Sequence, residues 1–227
     1  MPALSAEASA ATPVRRPRAI LFDWDNTLVD SWGTIHEALN FLMAAMDRPP
    51  WSLAETMERV RLSLRESFPL HFGDRWEEAR DIYLARFREI HLDRLTPLPG
   101  RDALLRGLHE DGIYLGVVSN KTGPLLRLEV ERLGWTSLFG SVIGAGDAAA
   151  DKPGCEPVHL ALAQAGIAAG AEVWLVGDTA VDMECAINSG CIPVLLGGVP
   201  AAAEFRIHAP QLAFPDETAL YRALRHI

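Results

Sequence analysis

Short apolar runs alternate with amphipathic stretches along most of this 227-residue chain. The apolar runs have the length of buried strands, and the stretches between them carry helical periodicity or helix-capping residues. Strands are predicted at 19–22, 113–118, 142–143, 173–176, 192–196 and 212–214. Because strand and helix repeat in turn, the pattern predicts an α/β protein with a parallel sheet and right-handed crossovers.

Between the first two predicted strands, the pattern is helical only. Apolar residues step by three and four from Trp32 to Met46, which is the spacing of an amphipathic helix. Ser52 and Glu55 form a capping-box pattern ahead of a second helix that extends through residue 64, and Asp74 is the predicted N-cap of a third. The predicted division is a disordered leader at 1–17, a catalytic core at 18–30 and 98–227, and a helical cap at 31–97.

Polar residues that can carry chemistry follow four of the predicted strands. They are Asp23 and Asp25, Ser119 and Asn120, Lys152, and Asp178 and Asp182. The carboxyl ends of parallel strands share one edge of a sheet, so we expect these side chains to converge. Carboxylates suit Mg²⁺, and a hydroxyl with an ammonium suits phosphate oxygens. The alternative is that the acids only cap helix N-termini, where Asp is common.

Charge and composition narrow the classes of partner. The net charge of −9 argues against a nucleic-acid-binding protein, which would present a basic face. No apolar run approaches the roughly 18 residues that a membrane span needs. The three cysteines form no CxxC pair, so we expect reduced thiols in a cytoplasmic protein. A monomer or dimer is expected.

Lysine is rare, since Lys121 and Lys152 are the only two in the chain. Lys152 is the candidate for the predicted site, whereas Lys121 is expected to be exposed to solvent. His36, His71 and His91 do not pair at metal-ligand spacing and are expected at the surface or at an interface.

The four motifs, in this order, resemble those of the haloacid dehalogenase superfamily of phosphohydrolases. They read Asp23-x-Asp25-x-Thr27, then Ser119, then Lys152, then Gly177-Asp178-x-x-x-Asp182. The helical insert resembles the type-1 cap of that superfamily, and the first motif with Leu98-Pro99-Gly100 resembles its phosphoglycolate phosphatase-like subgroup. The resemblance implies a Rossmann-like core. Asn26 stands where the family usually has glycine, and we expect it to tolerate the unusual backbone angles of that turn.

The resemblance also implies catalytic roles. Asp23 would be the nucleophile that forms an aspartyl-phosphate, and Asp25 would protonate the leaving alkoxide and later activate water. Ser119 and the backbone of Asn120 would bind the phosphoryl oxygens, and Lys152 would offset charge between nucleophile and phosphate. The presence of Asp25 favours a phosphatase over a dehalogenase, because displacing halide needs no general acid.

A Mg²⁺ site follows from the same resemblance. The ion would be held by Asp23, Asp178 and the backbone carbonyl of Asp25. Asp182 would not bind the ion but would orient the residues that do. Arg65, in the predicted cap, is a candidate contact for substrate specificity. Separately, the side chain of Thr27, in the first motif, is expected to hydrogen-bond within that loop.

The predicted function is a magnesium-dependent phosphatase that hydrolyses a small phosphorylated metabolite, with 2-phosphoglycolate as a candidate. One alternative is a phosphomutase of the β-phosphoglucomutase type, which would keep Asp23 and Asp25 but protect the aspartyl-phosphate from water. A second alternative is a non-catalytic phosphate-binding or signalling protein. That reading is disfavoured because Asp25 and Lys152 are both present.

Overall fold

The computed structural model describes residues 15–60 and 62–227, so the predicted leader lies outside the described residues as far as position 14. The strands are β1 (Ala19–Phe22), β2 (Val29–Asp30), β3 (Thr96–Pro97), β4 (Tyr114–Thr122), β5 (Ser141–Ala145), β6 (Val173–Gly177), β7 (Ile192–Leu196) and β8 (Leu212–Phe214). Six of them form a parallel sheet in the order β5-β4-β1-β6-β7-β8. The predicted α/β class with a Rossmann-like parallel sheet is confirmed.

The helices of the described chain are α1 (Trp32–Ala45), α2 (Leu53–Arg59), α3 (Leu64–Phe72), α4 (Trp76–Arg94), α5 (Arg101–Glu110), α6 (Gly123–Arg132), α7 (Glu156–Ala163), α8 (Ala180–Asn188) and α9 (Glu217–Leu224). Helices α6, α7 and α8 connect consecutive strands of the six-stranded sheet, and α5 leads from β3 into β4. Helices α1 to α4 instead lie between β2 and β3, which pair antiparallel and so bring the two ends of this helical segment together.

The single helix predicted from Ser52 through residue 64 is wrong, because the structure has two helices there. The capping box of Ser52 and Glu55 does begin α2, but α2 ends at Arg59, with Val60 as its C-cap residue. Ser63 then has extended backbone angles (φ −62°, ψ 160°) and is the N-cap of α3. A Ser-x-x-Glu spacing at Ser63 and Glu66 was the available signal for this second start.

The predicted N-cap of the third helix is also wrong. A 3₁₀ turn at Gly73–Arg75 precedes α4, and Arg75 is the N-cap residue, with no side-chain hydrogen bond to the helix. Asp74 therefore lies inside the turn. The start of the helix is displaced from the predicted one by a single residue.

Side chains of β1 alternate between the two faces of the sheet, as strand geometry requires. Ile20 and Phe22 pack with residues of α5, α6 and α9 on one face. Ala19 and Leu21 pack with α7 and α8 on the other. Because β1 has a partner on each side and is covered on both faces, its carboxyl end opens at the middle of one sheet edge.

Helices α1, α3 and α4 share a separate apolar cluster, which Leu125 of α6 also joins. This cluster lies over the sheet edge at which β1 and β4 end. None of the helices in the described residues has the length and apolar character needed to cross a membrane. Cys155, Cys185 and Cys191 are free thiols, as expected.

Candidate active site

The loop after β1 is shaped by a left-handed residue. Asp23 directly follows the strand, and its amide donates a hydrogen bond to the carbonyl of Val176 in β6 at 2.8 Å. Asn26 has a φ of 64°, and its amide donates to the carbonyl of Val29 at 2.7 Å. The Asn26 Oδ1 accepts from the amide of Ser31 at 3.1 Å. The expectation that Asn26 tolerates unusual backbone angles is therefore confirmed.

Lys152 occupies the centre of the acidic cluster. Its Nζ donates to Asp23 Oδ1 at 2.7 Å and to Asp182 Oδ1 at 2.6 Å, and the lysine is 3% exposed. Burial alone would lower the pKa of the ammonium, but the charges and hydrogen bonds of Asp182 and Asp23 outweigh it and raise that pKa. Lys152 is therefore a fixed cation next to Asp23, where the resemblance placed it.

Asn120 holds the backbone of Lys152 from the end of β4. Its Nδ2 donates to the Lys152 carbonyl at 3.0 Å, and its Oδ1 accepts from the Lys152 amide at 3.0 Å. The neighbouring Ser119 is 5% exposed, and its Oγ accepts from the Lys121 amide at 3.2 Å. The side chain of Asn120 is thus structural, while its backbone remains the predicted phosphate contact.

Three carboxylates come together beside Lys152. Oxygen atoms of Asp23, Asp178 and Asp182 all lie within 4.8 Å of one another. Burial, and then the nearby charge of Asp182, raises the pKa of Asp23 to about 6 against the opposing effect of Lys152. Burial and the charges of Asp182 and Asp23 raise the pKa of Asp178 well above its ordinary range. One ammonium does not offset three crowded acids, so the cluster favours an added cation.

The three acids differ in how many of their oxygens have donors. Asp182 accepts from Lys152 on one oxygen and from the amide and hydroxyl of Thr179 on the other, at 3.0 and 2.7 Å. Asp178 accepts from the Thr27 hydroxyl at 2.8 Å on Oδ1 only. Among the described residues, Oδ2 of Asp23 and Oδ2 of Asp178 have no hydrogen-bond donor. These two oxygens are available to a metal, whereas Asp182 is held by protein groups.

The predicted bond of Thr27 within its own loop is wrong, because its hydroxyl reaches Asp178 at the end of β6. Hard carboxylate oxygens in a buried cluster fit Mg²⁺. The fit to Mg²⁺ thus rests on the type of ligand atom, carboxylate oxygen, and on the burial of the cluster.

A cavity opens above the acids. It contains about 830 Å³ of space when its open mouth is included. Polar residues of the sheet edge line its floor: Asp23, Asp25, Ser119, Asn120, Lys152, Asp178 and Asp182. Helices α1 and α4 supply most of its other wall, including Trp32, Ile35, Tyr83, Leu84 and Phe87.

Arg65 contacts the core and does not line this cavity. Its Nε donates to Asp151 Oδ2 at 2.5 Å, and the Asp151 side chain is 1% exposed. Asp151 also accepts from the amide of Gly146 at 3.0 Å. The ion pair joins α3 to the segment that carries Lys152. A specificity role for Arg65 thus remains a prediction without a cavity contact to support it.

The expectation that Lys121 is exposed is wrong. Its side chain is 5% exposed, and Nζ lies 2.5 Å from Asp25 Oδ1 and 2.9 Å from Glu129 Oε2. Burial would lower the pKa of this ammonium, but Asp25 and Glu129 together raise it. A lysine can be buried here because two carboxylates compensate its charge.

Of the two places predicted for His91, the surface or an interface, the structure shows the second. It is 3% exposed, and its Nδ1 lies 2.7 Å from Glu129 Oε1, at the contact between α4 and α6. His36 and His71 are only partly buried. Nδ1 of His36 lies 3.0 Å from the Thr56 hydroxyl.

A family model described as haloacid dehalogenase-like hydrolase matches residues 20–195. The chain belongs to this family. The resemblance predicted from the four motifs is thereby confirmed.

Several relatives of this haloacid dehalogenase-like hydrolase are named phosphoglycolate phosphatase. The Rhodospirillum rubrum protein is 31% identical over 192 residues, which covers 79% of this chain and 79% of the relative. The Xanthomonas campestris pv. campestris (strain 8004) protein is 29% identical over 181 residues, covering 78% and 81%. A haloacid dehalogenase-like family hydrolase from Streptococcus pneumoniae has the same fold, with a TM-score of 0.81 at 22% identity over 92% of this chain and 98% of the other.

The strand ends of this haloacid dehalogenase-like hydrolase carry its four motifs to one edge of the sheet. Asp23, Ser119, Lys152 and Asp178 all line one cavity, although the last lies 155 positions after the first. Glu129 was missed, because it lies on a helix without any motif. The scarcity of lysine points to Lys121 as well as to Lys152, although only Lys152 was predicted to lie in the site.

Proposed function

We propose that this hydrolase is a magnesium-dependent phosphatase that removes the phosphoryl group of a small metabolite through an aspartyl-phosphate on Asp23. The observation that carries the proposal is the ammonium of Lys152, which is fixed between Asp23 and Asp182 under the cavity. A buried cation beside one carboxylate of a crowded acidic cluster suits a nucleophile that must approach an anionic phosphate.

Asp23 is suited to attack phosphorus. Lys152 binds its Oδ1 at 2.7 Å, which fixes the carboxylate while the other oxygen has no donor among the described residues. Attack by that oxygen forms the Asp23 O–P bond as the bond from phosphorus to the leaving oxygen breaks, and Oδ1, which has a second lone pair besides the one that Lys152 uses, would then be the Asp23 oxygen that holds the metal. Lys152 partly neutralises the negative charge that Asp23 and the phosphoryl group would otherwise bring together.

Asp25 is the residue proposed for proton transfer at the leaving oxygen. It lines the cavity and lies two residues after the proposed nucleophile. Its carboxylic acid would give a proton to the departing alkoxide, and the resulting carboxylate would then take a proton from the water that cleaves the aspartyl-phosphate. Ser119 and the backbone of Asn120 would bind the phosphoryl oxygens from the end of β4.

Magnesium would be held by Asp23, Asp178 and the backbone carbonyl of Asp25. When bound, Mg²⁺ supplies positive charge to the phosphoryl oxygens and offsets the repulsion among the acids. Asp182 would keep Lys152 and the Thr179 turn in place.

The substrate proposed first is 2-phosphoglycolate, because relatives of about 30% identity are named phosphoglycolate phosphatase. The four helices α1 to α4 form the proposed cap, which would exclude bulk water from the cavity and contact the leaving group. We propose the boundaries 31–97 for this cap and 18–30 with 98–227 for the core. A cap of this kind favours a small substrate. We also propose that the protein acts in the cytoplasm and is a monomer or dimer.

The test is release of inorganic phosphate from a panel of phosphorylated metabolites that includes 2-phosphoglycolate and several sugar phosphates. We expect magnesium-dependent hydrolysis of at least one compound, and chelation by EDTA should abolish it. Mass spectrometry of the products separates hydrolysis from isomerisation of a sugar phosphate, which is the mutase alternative. Absence of phosphate release from every compound would refute the proposed function.

Magnesium should also stabilise the fold in the absence of substrate. A ligand at a hundredfold excess over its Kd adds about 2.7 kcal/mol, which raises the Tm of a chain of this size by several degrees. In Asp178→Asn this Mg²⁺-dependent rise should largely disappear, because one of the two donor-free oxygens is lost. Differential scanning fluorimetry with Mg²⁺ and with EDTA measures it.

The matched control for the magnesium experiment is Asp81→Asn, which removes an acid that is 68% exposed on α4. This variant should keep the full rise in Tm. If Asp178→Asn kept it too, the proposed metal site would be wrong, whatever the activity of the protein.

A further inference from the structure

A row of buried charged groups extends from Asp25 through Lys121, which also lines the cavity, to Glu129. The Lys121 ammonium lies 2.5 Å from Asp25 Oδ1 and 2.9 Å from Glu129 Oε2. Among the described residues, Lys121 is the only side chain that hydrogen-bonds the Asp25 carboxylate. The second lysine of the chain, Lys152, is committed to Asp23 and Asp182.

Glu129 is buried, and both of its carboxylate oxygens have hydrogen-bond partners. It is 1% exposed, and its Oε2 accepts from the indole Nε1 of Trp24 at 2.6 Å. Its Oε1 lies 2.7 Å from His91 Nδ1. Burial would raise the pKa of Glu129, but Lys121, His91 and Trp24 together lower it, so the carboxylate is the favoured form.

The ammonium of Lys121 is also confined by an aromatic ring, because Nζ lies 4.9 Å from the centroid of Phe87 in α4. Desolvating an ion pair usually offsets most of its attraction, and well-packed apolar side chains of the same size are often as stable. Stability alone therefore does not account for this network. Within the described residues, its side chains reach the proposed catalytic groups at Asp25, and the backbone amide of Lys121 also donates to Ser119 Oγ.

We propose that Lys121 is a positioning residue for Asp25 and that Glu129 fixes Lys121 for that task. This inference rests on the proposed function. Asp25 lines the cavity, and with its Oδ1 bound to Lys121, its Oδ2 would be the atom that meets the leaving oxygen. Once Asp25 has given its proton to that oxygen, the carboxylate left behind has the Lys121 ammonium as its partner.

The proposal predicts that Lys121 matters in proportion to the leaving group's need for a proton. A benzylic alkoxide departs only with a proton, whereas a 4-nitrophenolate is stable without one. The experiment compares kcat/KM for 4-nitrobenzyl phosphate and 4-nitrophenyl phosphate, which are similar in size. For both esters this constant reports the steps up to formation of the aspartyl-phosphate.

In Lys121→Met, kcat/KM for 4-nitrobenzyl phosphate should fall about 100-fold, which is the lower range for general acid catalysis, while that for 4-nitrophenyl phosphate falls only about threefold. Glu129→Gln should change the ratio in the same direction by a smaller factor. Lys121→Arg, which keeps a cation, should recover part of the lost ratio. Asp25→Asn is the positive control and should show the largest selective loss.

The ratio of the two constants does not depend on how much of a variant is folded, because unfolding lowers both equally. Glu217→Gln is the structural control, since it breaks the Arg101–Glu217 ion pair, neither partner of which hydrogen-bonds the side chain of Asp25, Lys121 or Glu129. It should leave the ratio unchanged even if it lowers Tm. Equal losses on both esters in Lys121→Met would overturn the positioning role alone. Wild-type protein inactive on both esters and on the metabolite panel would overturn the proposed function, and this inference with it.

Discussion

Replacing Asp23 with asparagine should lower phosphate release by roughly 10⁴-fold or more, since removal of a nucleophile has effects of this order in other hydrolases. The amide oxygen is a poor nucleophile, so no aspartyl-phosphate forms, while the side chain keeps its shape below the cavity. The measurement is kcat/KM on the best substrate of the panel. Ser119 and the pair of Lys152 with Asp182 stay in place, so substrate should still bind.

The matched control is Asp30→Asn, the same substitution at an exposed acid on β2. It should retain wild-type turnover. An Asp23→Asn variant that hydrolysed substrate at the wild-type rate would show that the phosphoryl group is not transferred to this residue.

The fold of Asp23→Asn should be intact, and without Mg²⁺ it should be at least as stable as the wild type. Burial raises the pKa of Asp23 from 3.8 to about 6, so the ionised carboxylate is unfavourable in the folded state. This destabilising effect is absent below about pH 4 and fully present above about pH 6. The free energy of unfolding of the variant, measured in urea with EDTA, should therefore exceed that of the wild type more at pH 7 than at pH 4.

The positions of the proposed catalytic acids were predictable because they depend on topology. Four apolar residues identify β1, and a parallel sheet brings whatever follows it to the edge where β4 and β6 also end. Asp178 and Ser119 could thus be placed beside Asp23 before any coordinate was known. The contact of Lys152 with Asp23 needed the family resemblance, because the loop that carries it has no periodic pattern.

Charged side chains without a motif could not be placed in this way. Lys121 is buried only because Glu129, eight residues on, and Asp25 both face it, and a sequence does not show which face of α6 meets the loop after β1. His91 depends on the same packing of α4 against α6. The partner of Thr27 was missed for a related reason, since Asp178 approaches it from another strand.

The insert helices illustrate a different limit. The apolar stripe from residue 53 to 64 suggested one helix, yet Leu53 and Met57 are 45% and 39% exposed and contribute little to the core. Periodicity gives helical spacing but not helix ends, which depend on local backbone choices such as the extended Ser63. The prediction of a helical insert was sound in its type of structure and wrong in its division.

Lys152→Met should be the most damaging change to the fold. Removing one partner of a buried ion pair typically costs about 3–5 kcal/mol, because the remaining charge is left without compensation. Here Asp182 and Asp23 would both lose their shared cation, and Asp178 lies in the same cluster. Urea denaturation with EDTA at neutral pH should show a loss of this size, together with loss of detectable turnover.

A double variant separates this electrostatic cause from loss of packing. Asp182→Asn removes one of the stranded charges but can keep an acceptor for the amide and hydroxyl of Thr179. If repulsion is the cause, Lys152→Met with Asp182→Asn should be more stable than Lys152→Met alone, by about 1–3 kcal/mol of coupling. A double variant that is less stable by the sum of the two single effects would mean that Lys152 stabilises the protein by filling space. Both variants lack the Lys152 ammonium, so turnover should stay low in each although Asp23 keeps its carboxylate. Low turnover in the more stable double variant would show that activity depends on the ammonium as well as on the fold.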